Sequence, residues 1–202
     1  MGTSTMKRTV PFTIVLVGVL AAALVVFAPK AAYAGDIATS GGAKYYGIEN
    51  GKVCKKVDLT GNKKKDKVKY TFKSKKLTVY VNGKKSLTFS KAKYCNYVSV
   101  FKLKNGKAFL AVSLVNKKGL LDGGVYQYKS GKLKKVIDFA ALTKSQKGAK
   151  STFGGLASID KNTVHVYCEA KQGKSYLRIS RDYAYKSKTL KPVKKSLQVS
   201  RW

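Results

Sequence analysis

From residue 44 onward, apolar and polar side chains alternate with a period of two, the repeat of a strand with one buried and one wet face. In Lys67-Val68-Lys69-Tyr70-Thr71-Phe72-Lys73, Val68, Tyr70 and Phe72 share one face and polar residues take the other. Leu77–Val81 repeats the pattern and runs into Asn82-Gly83, a pair suited to the positive φ angles of a two-residue hairpin. Ser86–Phe89 is then the returning strand. Asn105-Gly106 likewise separates Tyr97–Leu103 from Ala108–Val115. That second run is apolar almost without interruption, which predicts a central strand covered on both faces. A small polar residue, glycine and lysine recur together at Asn50-Gly51-Lys52, Asn82-Gly83-Lys84, Asn105-Gly106-Lys107, Ser130-Gly131-Lys132 and Gln172-Gly173-Lys174. Each reads as a turn that hands over to a solvated strand end. One or two helical turns are expected around Asp138–Ser145.

This rhythm predicts an all-β fold of antiparallel meanders. Three stretches, 57–89, 94–138 and 152–195, each read as one meander unit, with Val125–Leu133 and Tyr183–Leu190 at corresponding late positions. A repeat of about 40–50 residues is that of a propeller blade. Propeller-like blades are therefore expected, with 37–57 available to help form a fourth; a β-sandwich of stacked meanders is the alternative. Gly123-Gly124 and Gly154-Gly155 mark bulges or sharp bends.

The first 34 residues carry a different pattern. Lys7 and Arg8 precede the uncharged apolar run Phe12–Ala28, and Ala32-x-Ala34 follows as a small-residue cleavage pattern. Residues 1–34 thus read as a secretory signal peptide and 35–202 as a single all-β domain without a transmembrane span after cleavage. An uncleaved anchor is the alternative, although the apolar run lies at the short limit for crossing a bilayer. Export permits disulfides, yet Cys54, Cys95 and Cys168 are odd in number and form no CxxC. All three pairings stay open. Cys168 alternates with Val164 and Val166, a position for a small buried hydrophobe.

Charge changes the picture most. The chain of 202 residues holds 42 Lys+Arg against 9 Asp+Glu, a net charge of +33. Loss of the leader removes Lys7, Arg8 and Lys30 and leaves +30. With 44% hydrophobic and 11% aromatic residues, a disordered polybasic tail is excluded. Lysine dominates: beyond the leader the arginines are Arg178, Arg181 and Arg201. Base-edge and bidentate phosphate recognition favour the planar fork of arginine, whereas lysine is a hydrated point charge. The expected partner is an extracellular polyanion, such as a cell-wall polymer or acidic glycan, and not a specific nucleic acid. A secreted monomer held near the envelope by its charge follows. Tyr45-Tyr46 and Tyr183-x-Tyr185, beside lysines, are candidates for stacking on sugars or for strand packing. Lysines along strands and edges also keep β-proteins soluble.

Material for acid–base chemistry is scarce. His165, Tyr167 and Glu169 alternate along one face of 163–169, but no nucleophile elbow, phosphate loop or paired catalytic carboxylates can be assembled. A non-enzymatic binding protein is expected; a secreted enzyme or enzyme inhibitor with a loop-assembled site is the alternative.

One motif carries chemistry. In Asp58-Leu59-Thr60-Gly61-Asn62-Lys63-Lys64-Lys65-Asp66, oxygen side chains fall at relative positions 1, 3, 5 and 9, a spacing by which a loop can wrap Ca²⁺. The segment resembles the calcium-loop turn of the FG-GAP/VCBS-repeat family. That resemblance implies β-propeller blades and a role in extracellular adhesion or surface recognition. It also implies a Ca²⁺ ion held by Asp58, Thr60, Asn62 and Asp66 with the carbonyl of Lys64. Thr60 and Asn62 replace charged ligands of the family pattern, and Lys63 stands where a turn glycine is usual. Lys55, Lys56, Lys63, Lys64, Lys65 and Lys67 surround the loop and oppose a bound cation. A metal-free Asx-type turn is the competing reading.

Overall fold

A computed structural model describes residues 37–202; the leader expected at 1–34 lies outside the described residues. The alternating segments pair into fifteen strands in three sheets. The N-terminal part gives three short strands, β1 (Ala38–Ser40), β2 (Lys44–Ile48) and β3 (Val53–Cys54). Then come β4 (Val68–Lys73), β5 (Lys76–Val81) and β6 (Lys84–Phe89), followed by β7 (Ala92–Lys102), β8 (Ala108–Asn116), β9 (Leu121–Lys129) and β10 (Lys132–Asp138). A 3-10 helix at Ala140–Ser145 leads to β11 (Lys150–Asp160), β12 (Thr163–Gln172), β13 (Ser175–Lys186), β14 (Thr189–Pro192) and β15 (Gln198–Arg201). Among the described residues, no helix is long and apolar enough to cross a membrane.

Sheet C has the order β3-β4-β5-β6, sheet B β2-β7-β8-β9-β10, and sheet A β1-β11-β12-β13-β14, with β15 also on β13. Among the described residues, hydrogen-bonded neighbours within each sheet run antiparallel except β1, which runs parallel to β11. Segment 37–57, read above as material for a fourth blade, instead laces all three sheets together. It lays β1, β2 and β3 along the open edges of β11, β7 and β4, and so satisfies backbone groups that a first strand would leave exposed.

The layers are stacked with sheet B in the middle. Phe101, Phe109, Ala111 and Val125 of sheet B meet Val164, Val166, Cys168, Leu177 and Ile179 of sheet A in one core. Val98, Val100, Leu110, Val112 and Leu114 point the other way, onto Val68, Tyr70, Leu77 and Val79 of sheet C. The continuous apolar run at β8 is therefore explained: the strand is buried over Ala108–Val115 because its two faces serve two cores.

Sheets A and B are also joined by polar contacts. The Leu156 N–H donates to the Tyr97 hydroxyl at 2.7 Å, and the Ser113 hydroxyl donates to the Gly154 carbonyl at 2.7 Å. Asn96 completes the chain by donating to Ser113 Oγ at 2.9 Å. Gly154-Gly155 lies between two register shifts of β11. Gly155 has φ +154°, and a Cβ there would sit 2.2 Å from the Tyr97 hydroxyl. Glycine is thus required where sheet B reaches into the edge of sheet A.

Candidate functional site

Loop 58–66 connects β3 to β4 and is closed by its own hydrogen bonds. Asp58 Oδ1 accepts the N–H groups of Gly61 at 2.6 Å and Asn62 at 3.0 Å, while Oδ2 accepts that of Lys63 at 2.7 Å. Gly61 and Lys63 take positive φ angles of 81° and 65° to bring those groups inward. Asn62 Oδ1 accepts the Lys64 N–H at 2.9 Å, an Asx-type turn within the larger one. Asp66 is 1% exposed. Its carboxylate accepts the Thr60 N–H at 2.7 Å, the Thr60 hydroxyl at 3.1 Å and the Asn82 side-chain amide at 2.6 Å. The structure thus joins Thr60 to Asp66 and ties both to the β5–β6 turn, while Asp58 serves the tip.

Six donors take up six of the roughly eight acceptor positions that two carboxylates offer. A calcium ion takes about six to eight oxygens. It would have to draw most of them from Thr60, Asn62, the Lys64 carbonyl and water. Among the described residues no group of three or more His, Cys, Asp or Glu side chains is gathered around a common point.

His165, Tyr167 and Glu169 share the outer face of sheet A. His165 Nδ1 lies 2.6 Å from Asp182 Oδ1, with both side chains about a third exposed at 35% and 36%. Arg178 lies over the Tyr167 ring at 4.7 Å and opposes Glu169 in register. Phe153 meets the same ring edge-on at 6.2 Å. The face is open and carries both signs of charge. The three cysteines are free thiols. Burial pushes Cys95 and Cys168 up to about 12, so neither is a thiolate nucleophile at neutral pH.

No known protein family, curated protein or solved structure matches this chain. Its chemistry must be read from its own surface.

That surface is lysine. Every lysine in 37–202 is exposed or half-buried. Among the described residues, Lys135 is the lysine that forms ion pairs, with Asp138 at 3.4 Å and Asp122 at 3.9 Å. Asp58 and Asp66 spend their charge on loop donors, Asp160 on the Ser40 hydroxyl and Asp182 on His165. The few acids are absorbed locally, and the lysines keep their field.

The tyrosines singled out from sequence are structural. Tyr45, Tyr183 and Tyr185 pack against the core between sheets A and B, and Tyr185 meets Phe109 edge-on at 6.1 Å. Tyr46 packs against the other core. Sequence reasoning passed over Tyr80, on the outer face of sheet C between two lysines. Its signal was present: in Leu77–Val81 the core takes Leu77, Val79 and Val81, which turns Tyr80 outward.

Proposed function

We propose that this chain is a secreted, non-enzymatic binding protein that associates with extracellular polyanions such as cell-wall polymers or acidic glycans. The observation that carries the reading is the near absence of ion pairing among surface lysines: Lys135 alone, among the described residues, has acidic partners. A solubility role needs charge but not such an excess of one sign, which raises self-repulsion. Lysine rather than arginine suits attraction to many spaced acid groups over bidentate recognition of one. The thiols are protonated and His165 stands on an open face, which favours binding over catalysis. Retention at the envelope would follow from the same charge.

The finer architecture belongs to the same proposal. We read the three face-to-face sheets as propeller-like blades, supported by their meander order and by the N-terminal strands laid along each first strand. A stacked β-sandwich is the competing description.

Binding to isolated cell wall or to heparin, measured by co-sedimentation or calorimetry at rising NaCl, is expected to weaken steeply as screening shortens to roughly 10 Å near 0.1 M. Salt-insensitive or absent binding overturns the reading. Calcium at loop 58–66 is a separate proposal, supported by the oxygen spacing and by the acceptor positions left on Asp58 and Asp66. Calorimetry with Ca²⁺ on the wild type and on Asp58→Ala should differ; identical flat traces dispose of it.

A further inference from the structure

We propose that the outer face of sheet C seats an anionic polysaccharide, with Tyr80 as the platform and Lys69 and Lys85 as the flanking charges. The inference rests on the polyanion reading and adds to it a place and a ligand chemistry.

Sheet C covers sheet B with one face only. Val68, Tyr70, Leu77, Val79 and Val81 turn into the core, so Lys69, Thr71 and Tyr80 face outward by the strand alternation, while Thr78 on the same side is covered, at 5% exposed. The register aligns them in rows. Val53 opposes Lys69, Lys69 opposes Tyr80, and Tyr80 opposes Lys85 across the bulge in β6. Beside this row Thr71 opposes Thr78, and Thr78 opposes Thr88. With strands about 4.8 Å apart, the two lysines flank the Tyr80 ring on strands roughly 10 Å from each other. A groove of about 360 Å³ runs along this face, lined by Val53, Lys67, Lys69, Thr71, Tyr80 and Gly83.

Three features select the ligand. No Asp or Glu occurs between Asp66 and Asp122, so no carboxylate within β4, β5 or β6 offsets the lysines. Grooves elsewhere differ: one is lined in part by Glu49 and another by Asp122. The outer face of sheet A carries Glu169 and Asp182 among its cations. A half-exposed tyrosine beside Val53, which is 50% exposed, offers an apolar surface for the C–H face of a sugar ring. Half-buried Thr71 and exposed Thr88, at the two ends of the threonine row, supply hydroxyls for ring substituents. Lysines at either side then meet acid groups carried on neighbouring sugars. A bare phosphate chain would engage the lysines and leave the ring unused.

The test titrates the full chain with heparin, a sulfated polysaccharide, and with polyphosphate, which has charge and no sugar. Lys69→Gln with Lys85→Gln is compared with Lys117→Gln and Lys118→Gln, a pair of the same charge in the β8–β9 turn. The sheet C pair is expected to weaken heparin binding about tenfold and the control pair about twofold. Tyr80→Ala should weaken heparin by a similar factor and leave polyphosphate unchanged, while Tyr80→Phe keeps heparin binding. Thermal unfolding checks each variant, and the lysine pair decides the matter if Tyr80→Ala fails to fold. Equal losses for both lysine pairs, or a folded Tyr80→Ala that binds heparin like wild type, overturn this inference and leave the polyanion reading standing. A wild-type chain that binds neither polymer removes both.

Discussion

Single residues in this molecule are held by contacts that can be broken one at a time. Gly155→Ala places a methyl 2.2 Å from the Tyr97 hydroxyl, and overpacking against a buried group that also receives the Leu156 N–H should cost about 2–3 kcal/mol in urea unfolding. The two loop carboxylates should separate clearly. Asp66→Ala removes a buried acceptor and leaves the half-buried Thr60 N–H and the Asn82 amide without it, and should cost about 2 kcal/mol. Asp58→Ala, at a more open tip, should cost about 1 kcal/mol. Cys168 gives a pH signature. Desolvation lifts its thiol from 9.0 to about 12, so the folded chain keeps a proton that the unfolded chain releases. Stability is unaffected below pH 9 and falls as pH rises from 9 towards 12, by about 1 kcal/mol per pH unit. Cys168→Ala should lose less over the same range, read as the difference in urea midpoint between the two proteins. The burial of Cys168 was legible from its alternation with Val164 and Val166. The role of Asp66 was not, because its partner Asn82 lies in a different hairpin and no local spacing links them.

At the level of elements, hairpins with glycine could be read directly and those without could not. Asn82-Gly83 and Ser130-Gly131 close β5–β6 and β9–β10 with positive φ at both residues, as the turn chemistry predicts. Ser74-Lys75 and Ser187-Lys188 do the same, with φ of 50° and 60° in the first and 51° and 63° in the second. No glycine announces them; the register of the flanking strands imposes the conformation on L-residues. A left-handed lysine costs roughly 1–2 kcal/mol, part of which glycine returns as unfolded-state entropy. Lys75→Gly should therefore raise stability by up to about 1 kcal/mol, seen as a higher urea midpoint at an unchanged slope. The lacing of β1, β2 and β3 was likewise hidden. These strands are short, and period-two alternation marks a strand without naming its partner. Their edges are fixed by tertiary pairing alone. By contrast, β8 declared its double burial in sequence, since a continuous apolar run has no wet face to show.

For the whole molecule, the decisive quantity is how +33 is distributed rather than its size. Asp122 and Asp138 meet Lys135, but Asp58, Asp66, Asp160 and Asp182 cap a loop, accept from a hydroxyl or pair with His165, so the folded state carries its own repulsion. Two salt dependences of opposite sign should result. In the free protein, added NaCl screens lysine from lysine, and the thermal midpoint should climb as ionic strength goes from about 0.01 M to 0.15 M, where the screening length shrinks from roughly 30 Å to 8 Å. With heparin present at low salt the midpoint should already be high, because a ligand that binds only the folded chain stabilises it by mass action. Raising the salt then releases the ligand, and the heparin-induced increment should shrink toward zero. Differential scanning fluorimetry across a grid of salt and heparin reads both slopes in one experiment. A midpoint that ignores salt in the free protein would mean that the lysines are too widely spaced to act together. In that case the charge could serve solubility, and a localised site such as the Tyr80 groove would have to account for any binding that persists.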